Sequence, residues 1–367
     1  MTIRRLALRL LAPGVALLAA FTVSSLVLAG TGHSPTETWS AMGRFGVRPE
    51  SVVSVLNRAV PLYFAGLAAA AGFQMGLFNI GVEGQYRLAA LAAAAVGAAV
   101  SLPPVLHVTL VLLVALAVGA AWAGVAAALK VRRSVHEVLS TLMLNFVATG
   151  LVAALLATGT GGAGGTAGGL AGETKLIPLS GRMPALNRLL EWIGLPFPIG
   201  SRLDGVLVLA VVAGFAYHLL IRRSCFGFEL RALGVNPRAA RAGGVNPVGV
   251  TVRTLLVSGA LAGLVGIGPL LGNSYRYSID FPTGLGFAGI AAALVGRNHP
   301  LGVALASLLF AFLDRSAQIL DLTGVPREIV LIMEGVILLS SVVAYEVASG
   351  LIETREARLA ASIDECP

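Results

Sequence analysis

Residues Leu88 to Val100 read LAALAAAAVGAAV, an unbroken run of small and apolar side chains. A chain segment in lipid must satisfy every backbone N–H and C=O internally, which leaves helices and closed β-barrels as the spanning forms. Barrel strands alternate apolar and polar residues. This run does not alternate, so its form is a helix. Working outward, similar stretches recur along the whole length, several long enough to cross a hydrocarbon core of about 30 Å. Hydrophobic residues make up 56% of the 367 and charged residues only 12%. That charged share is about half of what an ordinary soluble domain carries, too little to cover a water-facing surface. The bilayer is the solvent, and the chain is expected to be an all-α, polytopic transmembrane bundle.

About ten membrane segments are expected. They are Leu6 to Gly30, Ser54 to Phe73, Tyr86 to Ser101, Leu106 to Ala128, Val138 to Ala157, Leu207 to Ile221, Val252 to Leu271, Phe287 to Val295, Leu301 to Phe312 and Ile329 to Tyr345. The eighth and ninth are too short to span alone, so they read as half-helices or re-entrant elements shielded by protein. The basic start MTIRRLALRLL resembles a signal peptide. Its apolar run is longer than such leaders carry and lacks an Ala-x-Ala exit, so it reads as a retained first span.

The net charge of +8 could point to nucleic acid, but the basic residues cluster between hydrophobic runs, as topology requires. Placing both termini inside puts Arg4, Arg5, Lys130, Arg132, Arg133, Arg222 and Arg223 on the cytoplasmic side. Residues 159–202, opening GTGGAGGTAGGLAGE, then form a Gly-rich periplasmic loop. Residues 222–250 form a second long connection inside, and 347–367 a cytoplasmic tail. Cys225 and Cys366 give no disulfide framework or metal-ligand spacing.

The 222–250 connection, RRSCFGFELRALGVNPRAARAGGVNPVGV, suggests two short helices, FELRALG and PRAARAGG. Pro237 suits the first turn of the second, and glycines suit its end. A helix carrying Ala239, Ala240 and Ala242 offers a low-relief surface that another protein could grip, or it lies on lipid headgroups.

Within the membrane, GLFNIGVEGQ at Gly76 to Gln85 interrupts an otherwise apolar run with glycines at 76, 81 and 84 and with Asn79, Glu83 and Gln85. Broken helices and polar groups are tolerated in lipid only where protein or a water-filled cavity receives them. Asn79, Gly81, Glu83 and Gln85 therefore line a substrate path or its gate, or else form a turn with Asn79 and Glu83 as caps. A second break, FPTGLGFAGIAAALVG, has a similar build, with Tyr275, Tyr277 and Asp280 before it and Gly284 and Gly286 within it. Paired interruptions in the two halves of a transporter point to a binding site. Asn145 bonds across to another helix or to a substrate hydroxyl. Gly119, Ala120 and Gly124, like Gly259, Gly263 and Gly266, serve close helix packing. Glu334, in IVLIMEGVILL, is an intramembrane carboxylate that is either a proton-coupling group or the partner of Arg315 or Arg327.

Taken together, these motifs resemble those of ABC importer permeases, more narrowly the branch for simple sugars, branched-chain amino acids and nucleosides. The resemblance is carried by Glu229, Ala232, Gly234, Asn236, Ala239, Ala240, Gly243, Gly244 and Val245 in the cytoplasmic loop. GLFNIGVEGQ, HEVLSTLMLNFVA at His136 to Ala148, and GLGFAGIAAALVGRNHPLG at Gly284 to Gly302 complete it, in the family's order. It implies that Glu229 to Gly244 docks on a separate ABC ATPase subunit. A second permease, identical or a sister, and an extracytoplasmic solute-binding lipoprotein would complete an importer for nucleosides or related sugars in the bacterial inner membrane. ATP and Mg belong to the ATPase, and no cofactor and no nucleic acid to this chain. The residues agree: a phosphate-cradling loop needs G-x-x-x-x-G-K-[ST], whereas Lys130 follows Leu129 and Lys175 follows Thr174. No HExxH or Gly-x-Ser-x-Gly pattern supports an enzyme. The rival reading is an ion-coupled secondary transporter using Glu334.

Overall fold

A computed structural model of the chain describes residues 3–158, 172–192, 198, 200–326 and 328–344. The glycine-rich stretch 159–171, Arg327, the tail 347–367 and Cys366 lie outside the described residues. In chain order the helices are α1 (Ile3–Gly30), α2 (Pro35–Gly46), α3 (Pro49–Phe73), α4 (Val82–Ala99), α5 (Pro104–Arg133) and α6 (Glu137–Ala157). There follow α7 (Asn187–Trp192), α8 (Val206–Arg223), α9 (Cys225–Val235), α10 (Pro237–Ala242), α11 (Pro247–Gly263), α12 (Leu285–Val295), α13 (Pro300–Ala317) and α14 (Leu320–Thr323). A last helix, α15, covers 328–344. Among the described residues there is no β-strand, only two isolated bridges.

Among the described residues, five helices are long and apolar enough to cross a membrane: α3, α5, α6, α8 and α13. Two expected segments are corrected. The ninth does not stop short at Phe312, because α13 continues to Ala317 and reaches 18 residues. Beyond Phe312 the Arg315 guanidinium stacks 4.9 Å from the centre of the Phe45 ring. The seventh, expected as one run from Val252 to Leu271, is split. α11 ends at Gly263, and after a turn the chain forms a π-helical stretch, Pro269–Ser274. Pro269 has no N–H to continue a ladder. At Gly266 a Cβ would lie 2.7 Å from Ala90 Cβ, so the turn packs closely on α4. α12 is short, with 11 residues.

The described residues divide into two compact units, 52–311 and the chain-terminal pair of segments 3–51 and 312–344. In the terminal unit α2 was not expected, being too short and polar for a span. Ser34 Oγ accepts from Glu37 N at its start, and Pro35 sits in its first turn. A Cβ at Gly46 would overlap Phe312 and Ser316, so this helix lies directly on the end of α13.

In the 52–311 unit α4 is the innermost helix: Val82, Tyr86, Ala89, Ala90, Ala93 and Ala94 are fully buried. α5 and α11 pack along it and along each other. Gly119 meets the backbone of Gly259 and Gly263, and Gly263 meets the Ala115 carbonyl, at distances no side chain permits. Glycine lets these two backbones touch. The described end of the long loop is strapped down, with Thr174 N donating to Tyr277 O at 2.9 Å and Ile177 N to Tyr275 O at 2.8 Å. Glu173 pairs with Arg276 at 2.7 Å.

Candidate functional site

The chain leaves α3 at Phe73, turns at Gly76 (φ +74°) and enters α4 at Val82. The interruption read from GLFNIGVEGQ is therefore present. Its polar side chains turn inward: Asn79 is 0% exposed, Gln85 2%, Glu83 7% and Asn145 6%. Buried polar groups need partners, and these supply one another's. The Asn79 and Gln85 amides face each other in a reciprocal pair, both bonds 3.0 Å. Asn79 Nδ2 also donates to Ser258 Oγ on α11 at 2.8 Å, and Asn79 Oδ1 accepts from Gly81 N at 3.0 Å. Asn145 on α6 closes the same turn from the other side, donating to Ile80 O at 2.9 Å and accepting from Gly84 N at 2.8 Å. A Cβ on Gly84 would lie 2.8 Å from Ala148 Cβ, which is how α6 comes close enough for Asn145 to reach backbone.

Glu83 joins the two glycine breaks. Its Oε1 accepts from Gly284 N at 2.8 Å and its Oε2 from Gly286 N at 2.9 Å. A carboxylate thus caps the open amides at the start of α12, where the helix dipole favours negative charge. The Tyr86 hydroxyl lies 2.9 Å from Oε1 and 2.8 Å from Pro282 O. Gly284 holds φ +83°. Gly286 permits the approach, since a Cβ there would lie 2.5 Å from Glu83 N. Asn79, Gly81, Glu83, Gln85, Asn145 and Gly286 come together in one buried hub, with Gly284 at its exposed margin.

The second candidate region is built differently. Ser224 Oγ accepts from Gly227 N and starts α9. Asn236 Oδ1 accepts from Arg238 N and Ala239 N, at 3.0 and 3.1 Å, and starts α10. Gly243 and Gly244 (φ +84°) end it. Both helices match the two read from sequence. They do not present all the expected residues outward. Ala240 is buried among Leu230, Leu233 and Val250, and Gly234 abuts the backbone of the α3–α4 link, where a Cβ would lie 2.5 Å from Gln74 O. Glu229 reaches Arg253 of α11 at 4.0 Å, and Ala232 is partly buried. Val235, Asn236, Arg238, Ala239, Arg241, Ala242, Gly243 and Gly244 face solvent, with Phe228 and Val248 at the margin. The exposed face, which includes Gly234 itself, is apolar and basic, and it is held by the burial of Ala240 and by the close backbone contact at Gly234.

Residues 51–342 match the family described as branched-chain amino acid transport system / permease component. The chain belongs to this family. The permease is 34% identical over 337 residues to the glucose ABC transporter permease of Haloferax volcanii, covering 89% of this chain and 85% of that one. It is 33% identical over 342 residues to the guanosine ABC transporter permease of Bacillus subtilis, with 92% and 94% covered. A nucleoside ABC transporter permease of Lactococcus lactis is 27% identical over 345 residues, 90% of each chain. No solved structure matches it significantly. Membership makes the permease a multi-pass membrane transport subunit, so its polar hub is read within transport, and the ion-coupled alternative built on Glu334 loses its ground. Of the two expected partners of Glu334, Arg327 lies outside the described residues. Among the described residues no ion pair joins Glu334 to Arg315, whose head donates to Gln318 Oε1 and covers Phe45, and the acid near Glu334 is Asp314.

Sequence reasoning missed three hub members: Thr141, Ser258 and Tyr86. Thr141 Oγ1 accepts from Ile80 N at 3.3 Å. Ser258 Oγ accepts from Asn79 and donates to Ala68 O at 2.5 Å. The helical spacing of Glu137, Thr141, Asn145 and Ala148 in HEVLSTLMLNFVA puts polar residues on one face, and that signal could have found Thr141. Glu137 itself pairs with Lys130 at 2.5 Å. Ser258 shares one buried face of α11 with Thr251 and Thr254, at helical spacing, so the same signal could have found it.

Proposed function

We propose that this permease imports nucleosides or related simple sugars across the bacterial inner membrane, acting as one transmembrane domain. A second permease subunit, identical or a sister, pairs with it. Separate ABC ATPase subunits bind ATP and Mg and drive transport. An extracytoplasmic solute-binding lipoprotein delivers the substrate. The observation that carries the reading is similarity over about nine-tenths of the chain to permeases named for guanosine, nucleosides and glucose.

Both termini lie in the cytoplasm in this reading, and the exposed face of α9 and α10 docks on the ATPase. Gly234 and Ala240 transmit the push by fixing those helices to the 74–75 link and the core beneath. That link leads within a few residues to Asn79 and Glu83. The hub therefore acts as the gate beside the path rather than as a ligand cage. The polar atoms of Asn79 and Asn145 already hold protein partners, whereas Glu83 steers the start of α12. Proteoliposomes holding the permease, its co-purifying subunits and the binding lipoprotein are assayed for ATP-dependent uptake of labelled guanosine and glucose. Uptake of one or both is expected. Failure of an ATPase to co-purify, together with no uptake of either, contradicts the proposal.

A further inference from the structure

A second polar feature lies outside the hub and outside the exposed face of α9 and α10. The last turn of α8 and the turn joining α12 to α13 form a small open cavity lined by His218, Arg222, Arg297, Asn298 and His299, with Gln74 from the end of α3 beside them. Its volume is about 30 Å³, roughly the space of two waters. A tetrahedral oxyanion can place its oxygens there while the rest of the ligand remains in the open mouth; a nucleobase or sugar ring cannot.

The lining holds two guanidinium groups and two imidazoles and no carboxylate. Among the described residues no carboxylate forms an ion pair with His218, Arg222 or His299. The two imidazole rings meet edge to face, centroids 6.2 Å apart. Burial holds the His299 imidazole below its ordinary pKa, and the neighbouring Arg222 and His218 push the same way. Arg222 gives the cavity a positive charge that no described carboxylate pairs with, so an anion entering it gains from that guanidinium and from the imidazole N–H groups beside it. Arg222 and Arg223 also suit the C-terminal end of α8, but that role explains neither Arg297 nor His299, which come from a different element.

The turn supplying them is held in an unusual shape. Arg297 and Asn298 both have φ +56°, a region non-glycine residues seldom occupy. Gln74 Nε2 fixes it by donating to Asn298 O at 3.1 Å, and Asn298 N donates to Ala293 O at 2.9 Å. Asn298 Oδ1 is buried without a hydrogen-bond partner, an acceptor that a protonated phosphate oxygen or a headgroup hydroxyl satisfies.

We propose that this cavity binds a phosphoryl group, carried either by inorganic phosphate or by the headgroup of an anionic phospholipid, and that Arg222 and His299 supply the principal contacts. The permease in nanodiscs of phosphatidylcholine alone is titrated with ³²P-labelled inorganic phosphate. In nanodiscs that also contain phosphatidylglycerol, native mass spectrometry measures how much of that lipid stays on the protein. Saturable binding in the first arm identifies free phosphate as the source; preferential retention in the second arm alone identifies the lipid. In the productive arm, the Arg222→Gln/His299→Gln double variant is expected to lose affinity about tenfold or more, as removing a charged hydrogen-bond partner together with an imidazole donor does. Arg222→Gln alone, at an exposed side chain, shows a smaller loss in the same direction and guards against misfolding of the double variant. Arg223→Gln, next along α8 but outside the cavity, leaves binding unchanged. Wild-type protein silent in both arms, full binding by Arg222→Gln, or an equal loss in Arg223→Gln overturns the proposal.

Discussion

Asparagine opens both of the regions that matter, and it is used in opposite ways. In the hub, Asn79 bonds to Gln85 on α4 and Ser258 on α11, so one side chain ties together segments that are 179 residues apart in the chain. In the loop, Asn236 caps its own helix, bonding only the amides of Arg238 and Ala239. The hub is satisfied by distant partners and its side chains are buried; the helix pair α9 and α10 is satisfied locally and leaves one face exposed. A region closed on itself at long range holds the core in register. A region closed on itself locally can move as a body and present a surface. Substitutions in the two places should therefore differ in kind: loss of folding in the hub, loss of coupling in the loop.

The largest effect is expected at Gly286. A Cβ there meets the backbone of Glu83 at 2.5 and 2.8 Å, and backbone cannot swing aside as a side chain tip can. Gly286→Ala is expected to cost about 3 kcal/mol or more, read as a collapse of inserted protein and of the detergent melting temperature. Unchanged melting would mean that Glu83 does not anchor α12. Next comes Asn145→Leu, which strands the buried Gly84 N–H and Ile80 C=O. At about 1 to 3 kcal/mol for each unsatisfied group, a clear drop in melting temperature is expected, with uptake per inserted complex reduced as well. Normal stability with lost uptake would instead give Asn145 a role in transport without one in folding and break the comparison.

These two residues also mark how far the sequence could be read. Helical composition, the break after Phe73 and the two helices of the 222–250 loop follow from local patterns, because apolar runs, glycines and capping residues act over a few positions. The meeting of Glu83 with Gly286 does not. It joins points 203 residues apart, and nothing in either stretch names its partner. The end of α13 was placed too early, at Phe312, and the contact of Arg315 with Phe45, far away in sequence, lies beyond that point. Likewise the alanines and glycines of the loop look equivalent in sequence, and only packing separates inward Ala240 from outward Ala239.

A smaller effect is expected at Asn236. Replacing it with alanine removes the cap of α10 and costs about 1 kcal/mol, confined to that helix. Hydrogen exchange should quicken in 237–242 and stay unchanged in 79–85. Faster exchange in both would show that the loop is not locally independent.

The smallest effect on folding, and the most direct test, is at Ala239. Its side chain faces solvent on α10, so Ala239→Glu should leave insertion and melting temperature within about 0.5 kcal/mol of wild type, as for other surface changes. Substrate-stimulated ATP hydrolysis by the reconstituted complex is then measured for this variant against wild type. The account predicts that stimulation is lost while the permease remains folded and inserted. Wild-type stimulation in Ala239→Glu, with the ATPase still bound, would contradict the assignment of this face as the coupling surface.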